Sequence, residues 1–219
     1  MDITQTIALA LIQGLTEFLP VSSSAHLVIL PKFLDWPDQG LAFDVVLHFA
    51  TLCAIVYYYR LTLVEMSKDF ACSIVTRKMQ GQSMLAWAVL LGTIPVGLTG
   101  LFFKDSIELN LRSYEVVAFA TIFFGFLLGF SDWIHRFLGH SREFIRSSDI
   151  LIVGLFQALA LIPGTSRSGI TITAALLIGL SRSLSIKFAF LLSIPVIALA
   201  TLLKTFDLVN EVNQVDWTL

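Results

Sequence analysis

The sequence has little charge for its length. Only 14% of its 219 residues are Asp, Glu, Lys or Arg, whereas 56% are hydrophobic, and the mean hydropathy is +0.83. Because soluble domains carry about 25% charged residues, this composition excludes an ordinary soluble domain and indicates an integral membrane protein. The 14 basic residues are spread over several loops and the net charge is −2, which argues against a nucleic-acid-binding protein with its basic face or arm.

Cysteines and the common nucleotide and metal motifs are also scarce. Cys53 lies in an apolar run and Cys72 in a basic stretch, so we expect two free thiols rather than a disulfide framework. The sequence has no zinc-ligand spacing, no Walker loop and no dinucleotide-binding glycine pattern. The N-terminal residues include Asp2 but no Lys or Arg before Lys32, so we do not expect a cleavable signal peptide.

What the sequence does have is long apolar runs, of two lengths. Four runs reach the roughly 20 residues that a helix needs to span a bilayer: 41–59, 84–103, 114–133 and 187–206. Four others are too short to span and form two pairs: 3–19 with 21–34, and 150–162 with 169–180. We therefore predict four transmembrane helices and two pairs of half-helices.

Each pair of half-helices is interrupted by a proline that small hydroxyl residues follow. The interruptions read Pro20-Val-Ser-Ser-Ser and Pro163-Gly-Thr-Ser-Arg-Ser. Proline ends one helix, and hydroxyl side chains can start the next. The pattern predicts two re-entrant helical hairpins whose tips are buried in protein or line a wet cavity.

The two hairpins are expected to belong to an inverted-topology repeat. Gln13 and Gln157 precede the two prolines by seven and six residues, and residues 43–47 resemble residues 188–192. Three spanning segments lie between the hairpins, and an odd number of crossings places the second hairpin on the opposite side of the bilayer. The polar tips would then meet near the midplane, with half-helix N-termini directed at a bound anion.

The predicted fold is thus an all-α integral membrane protein with a single membrane domain over 1–219. It contains a first re-entrant hairpin (1–40), three transmembrane helices (41–133), a second re-entrant hairpin (149–181) and a fourth transmembrane helix (187–206).

Charge and tryptophan positions predict how this domain lies in the membrane. By the positive-inside rule, the more basic loops are cytoplasmic, and the first hairpin opens to the outer face. The cytoplasmic set is Arg60, Lys68, Arg77, Lys78, Arg136, Arg142, Arg146, Arg182 and Lys187, and the outer set is Lys32, Lys104, Arg112 and Lys204. Trp36, Trp87, Trp133 and Trp217 fall near segment ends, as interfacial anchors do.

The first hairpin tip carries a carboxylate, hydroxyls and an imidazole. Glu17 and Gln13 are one helical turn apart and share a face. An acid within the membrane indicates a functional site, and the alternative is a carboxylate that caps the following half-helix.

The hydroxyl cluster Ser22, Ser23 and Ser24 suits an N-cap, an anion site or a nucleophile. His26 lies about one turn further on and is the candidate base, and the alternative is a buried histidine satisfied by a backbone carbonyl.

Arg167 is the most informative residue of the second tip. A guanidinium within a membrane segment must be paired, and it matches phosphate or carboxylate geometry. A structural salt bridge to Glu17 is the alternative, and substrate could displace that pair. The second tip also supplies short donors and flexible backbone for substrate binding: Gly164, Thr165, Ser166, Ser168, Gly169 and Thr171.

The remaining histidines are expected to be structural or solvated. His48 follows Asp44 by one turn in the first spanning segment, and a helix-to-helix hydrogen bond is favoured over a role in supporting the site. His135 and His140 lie in a basic stretch and are expected to face solvent.

Two motifs carry a family resemblance. Gly14-Leu-Thr-Glu-Phe-Leu-Pro-Val-Ser-Ser and Pro163-Gly-Thr-Ser-Arg-Ser-Gly resemble the two signatures of the undecaprenyl-diphosphate phosphatases of the bacitracin-resistance type, and the resemblance covers nearly the whole chain. It implies removal of one phosphate from a C55 isoprenoid diphosphate at a site open to the outer face of the bacterial inner membrane. It also implies catalytic roles for Glu17, Ser23, His26 and Arg167, and a divalent cation, Mg²⁺ or Ca²⁺.

Three features depart from the family pattern. Gln13 replaces a usual glutamate at the suspected metal site, and Ala25 replaces a usual glycine. The chain also ends at Leu219, about two membrane segments before family members usually end, so a fragment or a shortened member is expected.

The resulting hypothesis is phosphoanhydride hydrolysis. Arg167, the hairpin N–H groups and the cation neutralise the diphosphate, Ser23 attacks phosphorus, and His26 takes its proton. Glu17 binds the metal, together with Gln13, or orients the imidazole. Within the same chemistry, His26 is instead the nucleophile or activates water. The competing class is a transporter or flippase for a lipid-phosphate carrier, which broken helices suggest as readily. The sequence leaves a homodimer open.

Overall fold

The computed structural model describes residues 2–37, 39–111, 113–139 and 141–210. Regular structure in these ranges is helical, apart from one isolated bridge between Arg142 and Leu180. The helices are α1 (Ile3–Thr16), α2 (Ser23–Phe33), α3 (Gly40–Tyr58), α4 (Arg60–Thr76), α5 (Ser83–Asn110), α6 (Tyr114–Leu138), α7 (Ser147–Ala158), α8 (Arg167–Leu177) and α9 (Arg182–Asn210), with a 3₁₀ turn at Leu159–Leu161. The predictions for Arg112, His140, Trp217 and the Lys104 side chain lie outside the described residues.

Long apolar helices confirm the all-helical, multi-pass class. Within the described ranges, Ser83–Phe103, Tyr114–Leu138 and Arg182–Val209 are each long and apolar enough to cross a membrane, and α3 with α4 makes a fourth candidate if this bent pair is one span. Large side chains along α6 point away from the rest of the protein, among them Phe119, Phe126 and Phe137. Such an apolar outer surface suits contact with lipid.

The stretch predicted as a loop after residue 59 is mostly helical. Residues 60–76 form α4, which is bent by 74° from α3. Leu63, Met66 and Phe70 recur at helical spacing and pack against the main core, and the Phe70 ring lies 4.8 Å from that of Trp87 on α5. The loop prediction was wrong because the charged residues of this stretch occupy one face of an amphipathic helix.

The main core lies where α5, α7, α8 and α9 meet. Val153, Phe188 and Leu192 are fully buried there. α5 and α7 approach closely because each has a glycine at their contact, Gly92 on α5 and Gly154 on α7. A larger residue would not fit, since a Cβ added to Gly154 would lie 2.9 Å from the carbonyl oxygen of Gly92. This packing determines where the second proline break, which follows the C-terminal end of α7, lies in the fold.

A polar clasp holds the other end of α7 and α8. The Arg142 backbone N–H donates to the Gly179 carbonyl at 2.9 Å. Its guanidinium donates to Asp149 at 3.0 Å and to the Ile178 carbonyl at 2.6 Å. Because Asp149 is in the first turn of α7 and Ile178 follows α8, the clasp ties these two helices together at the end opposite their polar tip.

Candidate active site

Both proline breaks fall between helices, as the sequence predicts. α1 ends at Thr16 with Glu17 as its C-cap residue, and α2 begins at Ser23. In the second break, the 3₁₀ turn ends at Leu161 and α8 begins at Arg167. We call residues 17–22 the first tip and residues 162–166 the second tip.

The two tips lie against each other although they are far apart in sequence. The Ser168 hydroxyl lies 3.5 Å from the Leu19 carbonyl oxygen that it faces. A Cβ added to Gly169 would lie 3.4 Å from Cβ of Pro20. The ring of Phe18 meets that of Phe190 edge to face at 5.8 Å. The start of α8 therefore covers the first tip, which brings the two sequence motifs into one site.

Glu17 is the centre of the polar contacts at this site. Its side chain is 6% exposed, and its Oε1 lies 3.4 Å from Nη2 of Arg167. Its Oε2 accepts hydrogen bonds from the Ser23 hydroxyl at 2.5 Å and from Nε2 of Gln13 at 3.0 Å, and Nε2 of His48 is 3.8 Å away. A buried carboxylate needs such compensation because water no longer solvates it.

The structure pairs Ser23 with Glu17 rather than with His26. At 2.5 Å the contact has the length of a strong hydroxyl-to-carboxylate bond. The exposed His26 ring directs Nδ1 at the Ser22 carbonyl, 2.8 Å away. Since a carbonyl can only accept, Nδ1 carries the proton, and in the neutral ring Nε2 keeps its lone pair. The backbone contact predicted as the alternative role of His26 thus satisfies one ring nitrogen and leaves the other available.

The start of α2 is strained and lacks a side-chain cap. Ser22 occupies the N-cap position at φ 61° and ψ 92°, but its hydroxyl makes no cap bond and instead lies 3.3 Å from that of Ser24. The prediction that a serine hydroxyl caps this helix was therefore wrong. The first-turn N–H groups have no partner within the helix, and uncapped N–H groups at a helix start suit an anion. Strained backbone of this kind clusters at functional sites.

Buried polar atoms in and next to the two tips lack hydrogen-bond partners in the described part of the chain. Among the described residues, Nη1 of Arg167, Oε1 of Gln13 and Oγ1 of Thr165 are buried without one. Each such atom costs about 1–3 kcal/mol if it stays unpaired. A cationic donor, an amide acceptor and a hydroxyl left open together indicate a place where a polar ligand binds.

The other hydroxyls of the second motif serve α8 itself. Ser166 accepts from the Gly169 N–H at 3.2 Å as the N-cap residue, and Ser168 lies 3.1 Å from Ser166. Thr171 donates to the Arg167 carbonyl at 2.8 Å and is 1% exposed. Thr171 therefore helps to hold the first turn of the helix that carries Arg167, since its hydroxyl is engaged by backbone carbonyls of that turn.

Gly164 is required by packing. It adopts φ +93°, and a Cβ there would lie 2.4 Å from the Val117 carbonyl oxygen and 3.0 Å from Thr121 Oγ1 on α6. The Thr121 hydroxyl also donates to the Gly164 carbonyl at 3.1 Å. The Cβ side of Gly164 is thus occupied by α6, which anchors the second tip, and contact of its backbone with substrate stays a prediction.

His48 is the residue whose place at the site was underestimated. Its Nδ1 donates to the Asp44 carbonyl at 2.7 Å, and the Asp44 carboxylate instead accepts from Gln39 at 3.0 Å. The expected helix-to-helix bond is replaced by the approach of Nε2 to Glu17. The available signal was a histidine in an apolar segment that directly follows a hairpin with its own buried acid.

Comparison with known proteins places these observations in a family. Residues 6–219, which include both motifs, match the sequence model described as Bacitracin resistance protein BacA. The chain belongs to the BacA family.

BacA relatives are similar over the full chain. The chain is 54% identical over 219 residues to the undecaprenyl-diphosphatase of Vesicomyosocius okutanii subsp. Calyptogena okutanii, with 100% of this chain and 83% of the relative covered. It is 56% identical over 220 residues to undecaprenyl-diphosphatase 2 of Stutzerimonas stutzeri and 51% identical over 218 residues to the undecaprenyl-diphosphatase of Campylobacter concisus. In both cases 100% of this chain and 82% of the relative are covered.

The divalent cation implied by the resemblance can be tested against the residues present. The part of the chain that the structure describes contains no cluster of three His, Cys, Asp or Glu residues. Glu17 nevertheless offers a carboxylate, and Gln13 offers an amide oxygen that has no hydrogen-bond partner among the described residues. Oxygen donors of this kind suit Mg²⁺ and Ca²⁺, so the donor types fit, with the remaining ligands coming from water or substrate.

Proposed function

We propose that this BacA-family chain is an undecaprenyl-diphosphatase, a membrane hydrolase that cleaves the phosphoanhydride of C55 isoprenyl diphosphate to yield the monophosphate and phosphate. The observation that carries the proposal is the set of unpaired buried polar atoms around the Glu17–Arg167 pair. They lie where the two signature motifs meet, in a family whose relatives bear this name. The reaction recycles the lipid carrier of cell-wall synthesis.

Arg167 is the residue that binds the diphosphate. Its Nη1 has no partner among the described residues, and its Nη2 contacts Glu17 at 3.4 Å, beyond good hydrogen-bonding distance. The guanidinium can therefore turn to two phosphate oxygens at little cost, and a bidentate contact of this kind is strong. The uncapped start of α2, with Ser22 and Ser24, and the Thr165 hydroxyl, which has no partner among the described residues, add donors around the phosphates. Ser166 and Ser168 hold the start of α8, which carries Arg167.

Ser23 is the proposed nucleophile. Its oxygen attacks the terminal phosphorus, the bond between that phosphorus and the bridging oxygen breaks, and the prenyl monophosphate leaves. The short bond to Glu17 makes this carboxylate the acceptor of the serine proton, in place of His26, which the sequence predicts for this role. A phosphate leaving group is stable as an anion, so this step needs no general acid.

Water then hydrolyses the phosphoserine. His26 takes the proton of the attacking water at Nε2, the nitrogen that the Ser22 carbonyl leaves available. The phosphorus–serine bond breaks, phosphate leaves, and the serine oxygen recovers its proton from Glu17. Trapping of a phosphoserine intermediate would support this order of steps, whereas trapping of phosphohistidine would make His26 the nucleophile.

Glu17 and Gln13 are the residues that would hold the divalent cation. When bound, such an ion neutralises charge on the transferred phosphoryl group. The protein residues supply the rest: Arg167 orients the diphosphate, Glu17 receives the proton, and the apolar helices exclude bulk water.

A cleft beside the site suits the prenyl chain. Its volume is about 880 Å³, and its apolar lining includes Leu27, Val96, Leu161 and Leu199. Leu27 adjoins His26, and Asp44 on the cleft wall lies one turn from His48. Lys32 and Lys204 also line the cleft. The tail would lie here, among apolar side chains, while the headgroup reaches the two tips.

The proposal extends to membrane placement. α1–α2 and α7–α8 are the two re-entrant hairpins, at 1–40 and 149–181, of an inverted repeat, with transmembrane helices in 41–133 and at 187–206. Their support is the short, proline-broken form of both pairs and the contact between their tips. The charge bias of the loops supports a bacterial inner-membrane protein whose site opens to the outside.

The test of the function is phosphate release from farnesyl diphosphate by detergent-purified protein. We expect Ser23→Ala to reduce the rate at least about 1,000-fold, because it removes the nucleophile, and to leave the protein folded. Ser67→Ala is the matched control, since Ser67 is exposed on α4 and its hydroxyl donates to the Leu63 carbonyl of the same helix, and it should keep most activity. A flippase predicts no phosphate release from the unmodified chain, and wild-type release by Ser23→Ala would exclude the nucleophile assignment.

A further inference from the structure

We propose that His48 is a protein ligand of the same divalent cation, and that its imidazole makes the site prefer Mn²⁺ over Ca²⁺. The inference rests on the proposed function in that it concerns the same site. It adds a ligand from α3 that neither signature motif contains.

The tautomer of His48 leaves Nε2 as a metal-binding atom. Nδ1 lies 2.7 Å from the Asp44 carbonyl oxygen, which can only accept, so Nδ1 carries the proton. In the neutral ring Nε2 then presents its lone pair. Histidines that bind metals commonly donate their other N–H to a carbonyl or carboxylate in this way, which fixes the ring orientation.

The partner of that lone pair is the Glu17 carboxylate. Nε2 of His48 lies 3.8 Å from Oε2 of Glu17, which is too long for a hydrogen bond. Two acceptors that face each other in a buried site repel. A cation between them turns this repulsion into attraction, and 3.8 Å is a separation that two ligands of one metal ion can have.

Gln13 supplies the third donor. It is fully buried, and its Oε1 has no hydrogen-bond partner among the described residues. Oε2 of Glu17 already accepts from Gln13 Nε2 and from Ser23, so a cation must replace one of these two bonds. A flip of the Gln13 side-chain amide removes the bond from its Nε2 to Glu17. The flip also brings the unpaired Oε1 to the place that Nε2 now occupies.

The cation and the diphosphate are expected to bind cooperatively. Three protein ligands leave positions open, which phosphate oxygens can fill. Arg167, the positive group on the Oε1 side of Glu17, repels a nearby cation until it turns toward phosphate. Each ligand therefore raises the affinity of the other by the same factor. Because imidazole nitrogen suits Mn²⁺ better than Ca²⁺, His48 also sets the metal preference.

Electron paramagnetic resonance of Mn²⁺ tests this inference on the purified full chain. We expect binding of Mn²⁺, tighter with methylenediphosphonate present, and a nitrogen modulation from a coordinated imidazole. His48→Leu should raise the Kd for Mn²⁺ at least about tenfold and abolish the nitrogen modulation. His48→Gln distinguishes loss of the imidazole ligand from misfolding, because its amide oxygen can replace the imidazole nitrogen as a ligand. This variant should bind Mn²⁺ without the nitrogen signal.

His135→Leu is the matched control. His135, which was predicted to face solvent, is instead buried on α6. It follows Thr121, which contacts the second tip, by 14 residues, and this corresponds to about 21 Å along the helix. It should bind Mn²⁺ as wild type does and keep the nitrogen signal. The inference is overturned if wild type shows no nitrogen modulation, if the modulation survives both His48 variants, or if Ca²⁺ competes with Mn²⁺ on equal terms.

Phosphate release by the same preparations separates this inference from the proposed function. Mn²⁺ bound through His48 without any phosphate release supports the site and contradicts the phosphatase. Phosphate release by wild type without His48-dependent binding supports the phosphatase and overturns the ligand assignment.

Discussion

Glu17 shows at the scale of one residue how the site combines sequence-local and long-range contacts. Its bond to Gln13 follows from helical spacing, and its pairing with Arg167 follows from the need to compensate a guanidinium and a carboxylate within apolar surroundings. Its short bond to Ser23 could not be predicted. It depends on the unusual backbone of Ser22, φ 61°, which turns the next residue toward Glu17, and no sequence pattern encodes that rotation.

Replacing Gly164 tests the anchoring of the second tip. Gly164→Ala places a methyl group 2.4 Å from the Val117 carbonyl at a φ of +93°, so the second tip must move away from α6. We expect the free energy of unfolding in mixed micelles to fall by about 3 kcal/mol. Phosphate release should fall with it, because Arg167 follows on the same segment.

The matched control is Gly129→Ala on α6. An added Cβ there meets nothing within 4 Å, and alanine is the better helix former, so stability should be unchanged or rise by up to about 1 kcal/mol. Equal losses from both substitutions would show that the second tip does not depend on contact with α6.

At the scale of elements, prolines and hydroxyl residues predicted where the half-helices end. Both breaks lie where the sequence places them, because proline and small polar residues act locally. The extent of α4 was missed because its charged residues suggested a loop, while Leu63, Met66 and Phe70 pack on the core. The contact of the tips depends on the packing of α7 and α8 against the rest of the fold, which a local pattern does not contain.

The start of α2 gives a prediction at this scale. Ser22→Gly removes the strain of a positive φ without the loss of a cap, since the Ser22 hydroxyl makes none. We expect the free energy of unfolding to rise by about 1 kcal/mol. Ser24→Gly, within the first turn of α2, should instead lower it by about 0.5–1 kcal/mol. If Ser22→Gly destabilises as much as Ser24→Gly, the Ser22 backbone is not strained in the protein.

For the whole molecule, composition established the membrane class. Segment lengths predicted four spanning helices; the described part of the chain has three, and a fourth only if the bent pair α3 and α4 is one span. The sequence left open whether His48 supports the site, because α3 reads as an apolar spanning helix and its approach to Glu17, with His48 at 3.8 Å, depends on tertiary packing. Its single histidine has an equally satisfactory structural role. Only the three-dimensional packing distinguishes this structural role of His48 from a role at the site.

The measurement that tests the central claim most directly is phosphate release from farnesyl diphosphate by wild type, Arg167→Ala and Arg182→Ala. Arg182 is the matched control because it pairs with Asp132 at 2.6 Å and is half exposed. If one site forms where the two tips meet, Arg167→Ala loses at least about 100-fold in rate, Arg182→Ala keeps most of it, and EDTA stops wild type. Wild-type turnover by Arg167→Ala would contradict the account, because the second tip would then not belong to the active site.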